Sequence, residues 1–268
     1  MKKISSLLIT AALLPSLFFA AGKKKQDIIR VGMEGTWKPY TFVNEKGELD
    51  GFEVDVINAI NEKIKDDNIK IQLEKTAWDG IFLALETGRI DVISNEIKKN
   101  PAREQRYLYG DNPYNYDYAV IVFEKNRTDI NSAYDLIGKK VLVGISTSYA
   151  DWINAFNEKN GNKVSVVYTG SDATLQSNFS DIISGRVDAT ITSPVAAGTV
   201  INEQHYPLRY IITDPDFINP AYLVFKRNKR GEYIKQLFDK AIEEIRADGT
   251  LSKIAIKWFD TDTTVKSK

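Results

Sequence analysis

The stretch WDGIFLALETGRIDVISNEIKKNPAREQRYLYGDNPYNYDY, residues Trp78 to Tyr118, decides how the chain is read. A short amphipathic run, Ile81 to Glu86, ends at Gly88, a residue suited to closing a helix. Ile90 to Ile93 predicts a buried strand, and Ser94 to Asn100 a polar loop. Arg103 then stands at the start of the next segment. Strand, loop and helix start in that order form a ligand cradle in an α/β protein. Loop amides and a helix N-terminus favour an anion, and a planar guanidinium grips a carboxylate with two parallel hydrogen bonds. The plainer reading of Arg103 is a surface residue in a first helical turn, a role that fits Arg106 better.

Upstream, Ile28 to Val31 predicts a first strand, and Gly32 to Tyr40, with Gly35 and Pro39, a loop. Gly51-Phe52-Glu53-Val54-Asp55 opens a helix whose positions Val56, Ile57, Ile60 and Ile64 have helical spacing. Ile69 to Leu73 alternates as a strand.

Downstream the pattern returns. Lys140 to Gly144 predicts a strand, Ser146-Thr147-Ser148 a helix start, Val164 to Tyr168 a strand and Thr174 to Ser184 a helix. Gly185-Arg186-Val187-Asp188 then matches Gly88-Arg89-Ile90-Asp91, 97 positions earlier (185 minus 88). Two related βαβ lobes follow from this, with helices on both faces of mainly parallel sheets. Ligands bind such sheets beyond the carboxyl ends of the strands. Gly231 to Phe259 predicts two closing helices.

A chain of 268 residues allows one or two domains, and 43% apolar content fits a globular protein. Zero net charge gives no sign of a nucleic-acid or anionic-membrane partner. Lys2 and Lys3, an apolar run from Ile4 to Ala21 and the small residues Ala20-Ala21-Gly22 predict a secretory signal peptide. No cysteine is present, so neither a disulfide nor lipid attachment through an N-terminal cysteine is expected, and a free periplasmic location fits. His205 is the only histidine and suits neither a metal site nor a triad.

The ordered set Trp78-Asp79-Gly80, Gly88-Arg89-Ile90-Asp91, Asn100-Pro101-Ala102-Arg103 and Pro113-Tyr114 resembles the solute-binding proteins of ABC importers for polar amino acids. The run Asp248 to Ile254, DGTLSKI, is a further family mark. The Trp-Asp-Gly start and Asn95 look most like the cystine-binding branch. The resemblance implies a two-lobe periplasmic-binding-protein fold of type II, each lobe a mostly parallel α/β sheet flanked by helices, with two hinge crossovers. Residues 1–22 would be the signal peptide, 23–117 with 219–268 the first lobe and 118–218 the second. The implied function is capture of an amino acid, cystine favoured, by hinge closure and delivery to an ABC permease. A basic or other polar amino acid, or a dehydratase-like enzyme on the same fold, are the alternatives. No cofactor is expected, and a monomer is.

The resemblance also assigns roles. Arg103 would take the ligand's α-carboxylate, joined from the second lobe by Ser146, Thr147 and Ser148, which would also cap a helix. Trp37 and Trp78 would sandwich the ligand. A buried ammonium needs an acceptor. In the family an acid just after the second Arg-x-Asp strand often serves, but here that position is Ser193. Glu34 and Glu96 are the carboxylates at hand. Glu96 stands where the cystine branch usually has an amide, and with Lys98 could serve both ends of a doubly zwitterionic ligand. Otherwise Glu96 and Lys98 face water, and Glu96 could equally favour a basic amino acid.

Overall fold

A computed structural model describes residues 26–266 apart from 65, 67, 171, 215 and 216. The expected signal peptide, residues 1–22, lies outside the described residues.

The chain opens with β1 (Asp27–Met33), β2 (Thr36–Trp37), β3 (Thr41–Val43), β4 (Leu49–Asp50), α1 (Phe52–Lys63) and β5 (Ile69–Lys75). Next come α2 (Ile81–Thr87), β6 (Val92–Ile97), α3 (Pro101–Arg106), β7 (Tyr107–Tyr109), β8 (Asn115–Tyr118) and β9 (Val120–Glu124). The middle holds β10 (Lys140–Gly144), α4 (Ser148–Lys159), β11 (Ser165–Thr169), α5 (Leu175–Ile183), β12 (Ala189–Thr192) and α6 (Pro194–Gln204). The chain closes with β13 (Leu208–Ile212), β14 (Ile218–Lys226), α7 (Lys229–Ala247) and α8 (Thr250–Phe259).

Two large sheets form the two lobes. The first runs β5-β1-β6-β14-β7, with β8 also on β14, and the second runs β11-β10-β12-β9-β13. Strands β2 to β4 make a small separate sheet. In each large sheet one strand opposes its neighbours: β14 runs antiparallel to β6 and β7, and β9 to β12 and β13. These are the two strands the chain enters on crossing between the sheets. A crossing segment arrives at the cleft, so its strand runs away from the cleft, whereas the parallel strands end there. The carboxyl ends of β1, β6, β10 and β12 therefore converge on the cleft.

The repeated tetrapeptide has one job in both lobes. Gly88 adopts φ 77° and Gly185 φ 70°, conformations open to glycine at little cost, and each ends the preceding helix. The Asp91 carboxylate accepts the Arg30 amide of β1 at 2.9 Å, while the Asp188 carboxylate accepts the Lys140 amide of β10 at 2.8 Å. Each aspartate also accepts from an arginine, Arg230 in the first lobe and Arg127 in the second.

Helices α7 and α8 return to the first lobe. Phe52, Ile57, Ile60, Phe238, Ile242, Ile245 and Leu251 share one buried cluster with β1 and β14. Each such side chain stabilises by roughly 1.5–3 kcal/mol on burial. Trp258, on α8, is partly buried and donates to Asp55 at 2.7 Å.

One expectation is corrected. Ser94 to Ile97 are not loop but the last four residues of β6, and all six residues of that strand are buried. Polar side chains stay in this strand because each finds partners: Ser94 bonds Glu53, Asn95 bonds Glu34, and Glu96 bonds Lys98 and Asn115.

Candidate functional site

A cavity of about 150 Å³ lies between the lobes. The first lobe lines it with Glu34, Thr36, Trp37, Trp78, Asn95, Glu96, Lys98 and Arg103. The second lobe supplies Gly144, Thr147, Ser148, Tyr149 and Thr169 to Gly170, with Leu175, Asn178 and Thr190 to Thr192 beyond.

Arg103 is positioned by α3. Asn100 caps that helix, its side chain accepting the Arg103 amide at 2.9 Å, and Pro101 fits the first turn. The guanidinium stands 4.7 Å from the Phe82 ring centre and 5.6 Å from that of Trp78. Its Nη2 donates to the Ser146 carbonyl of the opposite lobe at 2.7 Å. Among the described residues Arg103 has no ion pair, and burial pushes its pKa down. A half-buried cation in that condition suits an incoming anion.

Trp78 closes the same edge, its indole N–H donating to the Ile145 carbonyl at 3.2 Å. Trp37 lies 4.6 Å from Tyr40, centre to centre, and packs against the apolar cores of both lobes. Both tryptophans line the cavity. Trp152 instead stacks on Phe156 within the second lobe.

Thr147 caps α4, accepting the Ala150 amide at 3.1 Å. Ser148 opens that helix and accepts from Asn219 at 2.8 Å. Thr147 and Ser148 line the cavity, while Ser146, at φ 61°, turns its carbonyl to Arg103.

Glu34 and Asn95 form a reciprocal pair. The Glu34 amide donates to Asn95 Oδ1 at 2.9 Å, and Asn95 Nδ2 donates to Glu34 at 3.0 Å. Burial raises the pKa of Glu34, with the Asn95 and Thr36 hydrogen bonds opposing.

Glu96 and Lys98 neither point to water nor stand apart to receive two ligand ends. Lys98 Nζ donates to Glu96 Oε2 at 3.0 Å and to the Asn219 carbonyl at 2.8 Å, and the Glu96 side chain is wholly buried. Beneath them lies Glu53, at the start of α1. It accepts from Tyr114 at 2.6 Å and from the Glu96 amide at 2.8 Å, and burial raises its pKa to about 8.

Ser193 does not line the cavity. It caps α6 and receives Tyr40 at 2.8 Å, while donating to Asp117 at 3.2 Å. Tyr149 donates to the other Asp117 oxygen at 2.9 Å. Asp117 sits at the end of β8, where the chain leaves the first lobe, and burial pushes its pKa to about 6. Sequence reasoning missed both Asp117 and Glu53. Glu53 had a weak signal, an acid on the apolar face of a predicted helix, whereas Asp117 had none.

The bacterial extracellular solute-binding proteins of family 3 have a sequence pattern that matches residues 29–261. The L-cystine-binding protein TcyJ of Bacillus subtilis is 31% identical over 245 residues, covering 91% of this chain and 88% of that one. A structure from work on glutathione import via GshT and the cystine ABC importer TcyBC of Streptococcus mutans shares the fold. Its TM-score is 0.81 at 23% identity, over 90% of this chain and 98% of that chain. An ancestral arginine-binding protein bound to glutamine has TM-score 0.76 at 28% identity, over 88% and 99%.

Proposed function

The chain belongs to the bacterial extracellular solute-binding proteins of family 3, and on that premise we propose that it captures an amino acid between its lobes and delivers it to an ABC permease. The observation that carries this reading is Arg103, a half-buried guanidinium without an ion pair among the described residues, at a cavity faced by Thr147 and Ser148. An α-carboxylate satisfies that guanidinium with two parallel hydrogen bonds. The hydroxyls and amides at the start of α4 complete its coordination from the second lobe. Trp37 and Trp78 cover the ligand and exclude water.

L-cystine is the proposed ligand, supported by the likeness to TcyJ. A basic amino acid is the second reading, favoured by two acidic residues lining the cavity, Glu34 and Glu96. The reading includes residues 23–117 with 219–268 as one lobe and 118–218 as the other, hinged at the two crossovers. It also includes export through residues 1–22, a periplasmic location, a monomer and no catalysis. Ligand shifts the lobes toward closure because contacts from both sides form together only there.

The test is calorimetry on residues 23–268, unfolded and refolded to remove carried ligand, against L-cystine and the twenty common amino acids. A tight response to cystine alone supports the reading. Tight binding of arginine or lysine selects the second, and no response across the panel rejects both.

A further inference from the structure

We infer that Glu96 is the specificity-determining acceptor for the ligand's ammonium group, so that the first lobe supplies a charged side chain to each charged end of an α-amino acid. This rests on the amino-acid reading above.

Four observations meet at Glu96. It lines the cavity that Arg103 also lines. Its Oε2 is held by Lys98 and Asn115, both at 3.0 Å, yet its Oε1 has no hydrogen-bond partner among the described residues. A buried polar atom left unpaired is costly and calls for a physical reason. Its backbone is left-handed, φ 51°, which a glutamate adopts only under constraint from its surroundings. The pairing of β6 with β14 is also irregular here: Tyr222 faces Ile97 and Val224 faces Ile93, so β6 advances four residues while β14 advances two. Such bulges re-aim a side chain.

Charge balance agrees. The carboxyl groups of Glu53, Glu96 and Asp117 accompany a single ammonium, Lys98, among the described residues. A ligand ammonium is the cation this group lacks. The other candidates are engaged. Ser193 carries no charge and caps α6, and Asp117 uses one oxygen for Ser193 and the other for Tyr149. Both Glu34 oxygens accept bonds, from Thr36 and Asn95.

The test compares L-cystine with 3,3′-dithiodipropionate, the same molecule without its ammonium groups, by calorimetry on wild type, Glu96→Gln, Glu96→Asp and Glu34→Gln. If wild type binds a different panel member, that amino acid and its deamino acid take their place; if it binds none, the amino-acid reading fails before Glu96 is tested. Glu96→Gln should weaken the amino acid by about 30-fold or more, as loss of one member of a buried charge pair does. Its effect on the deamino compound should stay within about threefold, since that ligand has no ammonium to pair with Glu96. Glu96→Asp keeps a charge beside Lys98 but withdraws it by one methylene, and should show the same selectivity if Glu96→Gln does not fold. The proposal is overturned if the variants keep full amino-acid affinity, if both ligands weaken equally, or if Glu34→Gln carries the selective loss.

Discussion

Arg103 of the first lobe donates its Nη2 proton to the Ser146 carbonyl of the second, at 2.7 Å. The guanidinium thus joins the lobes while its charge stays without an ion pair among the described residues. On the proposed function, anion binding and lobe closure would meet in this one side chain. Arg103→Ala should weaken ligand binding by about 2–5 kcal/mol, the usual cost of truncating one partner of a buried charge pair. Arg103→Lys keeps the charge but loses the planar fork and should recover only part of that loss. Calorimetry measures both, and near-wild-type affinity in Arg103→Ala would remove the carboxylate role.

Trp37 packs on the apolar cores of both lobes. Trp37→Ala should lower ligand affinity by about tenfold through lost apolar burial. Small-angle scattering with saturating ligand should show a larger radius of gyration than wild type. An unchanged radius and affinity would make Trp37 an element of first-lobe packing alone.

Glu53 gives the fold a pH dependence. Burial raises its pKa from 4.5 to about 8. Between those values the folded chain holds a proton that the unfolded chain has released, so stability falls as pH rises through this window. The slope from this one group is at most about 1.4 kcal/mol per pH unit. Denaturant titrations at pH 5 and pH 8 should show the decline, and Glu53→Gln should flatten it. A Glu53→Gln profile parallel to wild type would assign the decline to other groups. Asp117, raised to about 6, contributes in the same direction between 3.8 and about 6.

Asp91 and Asp188 predict a matched pair of effects. Each carboxylate fastens the strand beside it through a backbone amide and an arginine. Asp91→Ala and Asp188→Ala should each cost about 1–3 kcal/mol of stability, since each leaves polar partners unmet. Both variants should bind ligand normally once folded. A large affinity loss without destabilisation would contradict this structural role.

Much of the fold was legible because local chemistry fixes it. The β10 strand spans Lys140 to Gly144 as its apolar run predicts, and α4 begins at Ser148, where Thr147 caps it. Arg103 and Trp78 belong to the ordered family pattern and Trp37 to the loop after the first strand, and all three line the cavity. Ser94 to Ile97 misled because their polarity reads as loop. Only a partner such as Glu53, more than forty positions away, makes them tolerable in a buried strand.

By itself the sequence determined the alternation of strands and helices, the repeat that gives two like lobes and the capped helix start that carries Arg103. These depend on periodicity, caps and turn residues, which act over a few positions. The tertiary structure decided which carboxyl groups share the cleft floor. It paired Glu96 with Lys98, gave Ser193 to a helix cap and brought Asp117 beneath the second lobe. Those outcomes depend on long-range burial, where a charge must find its partner wherever the fold puts one, and no local pattern records the choice.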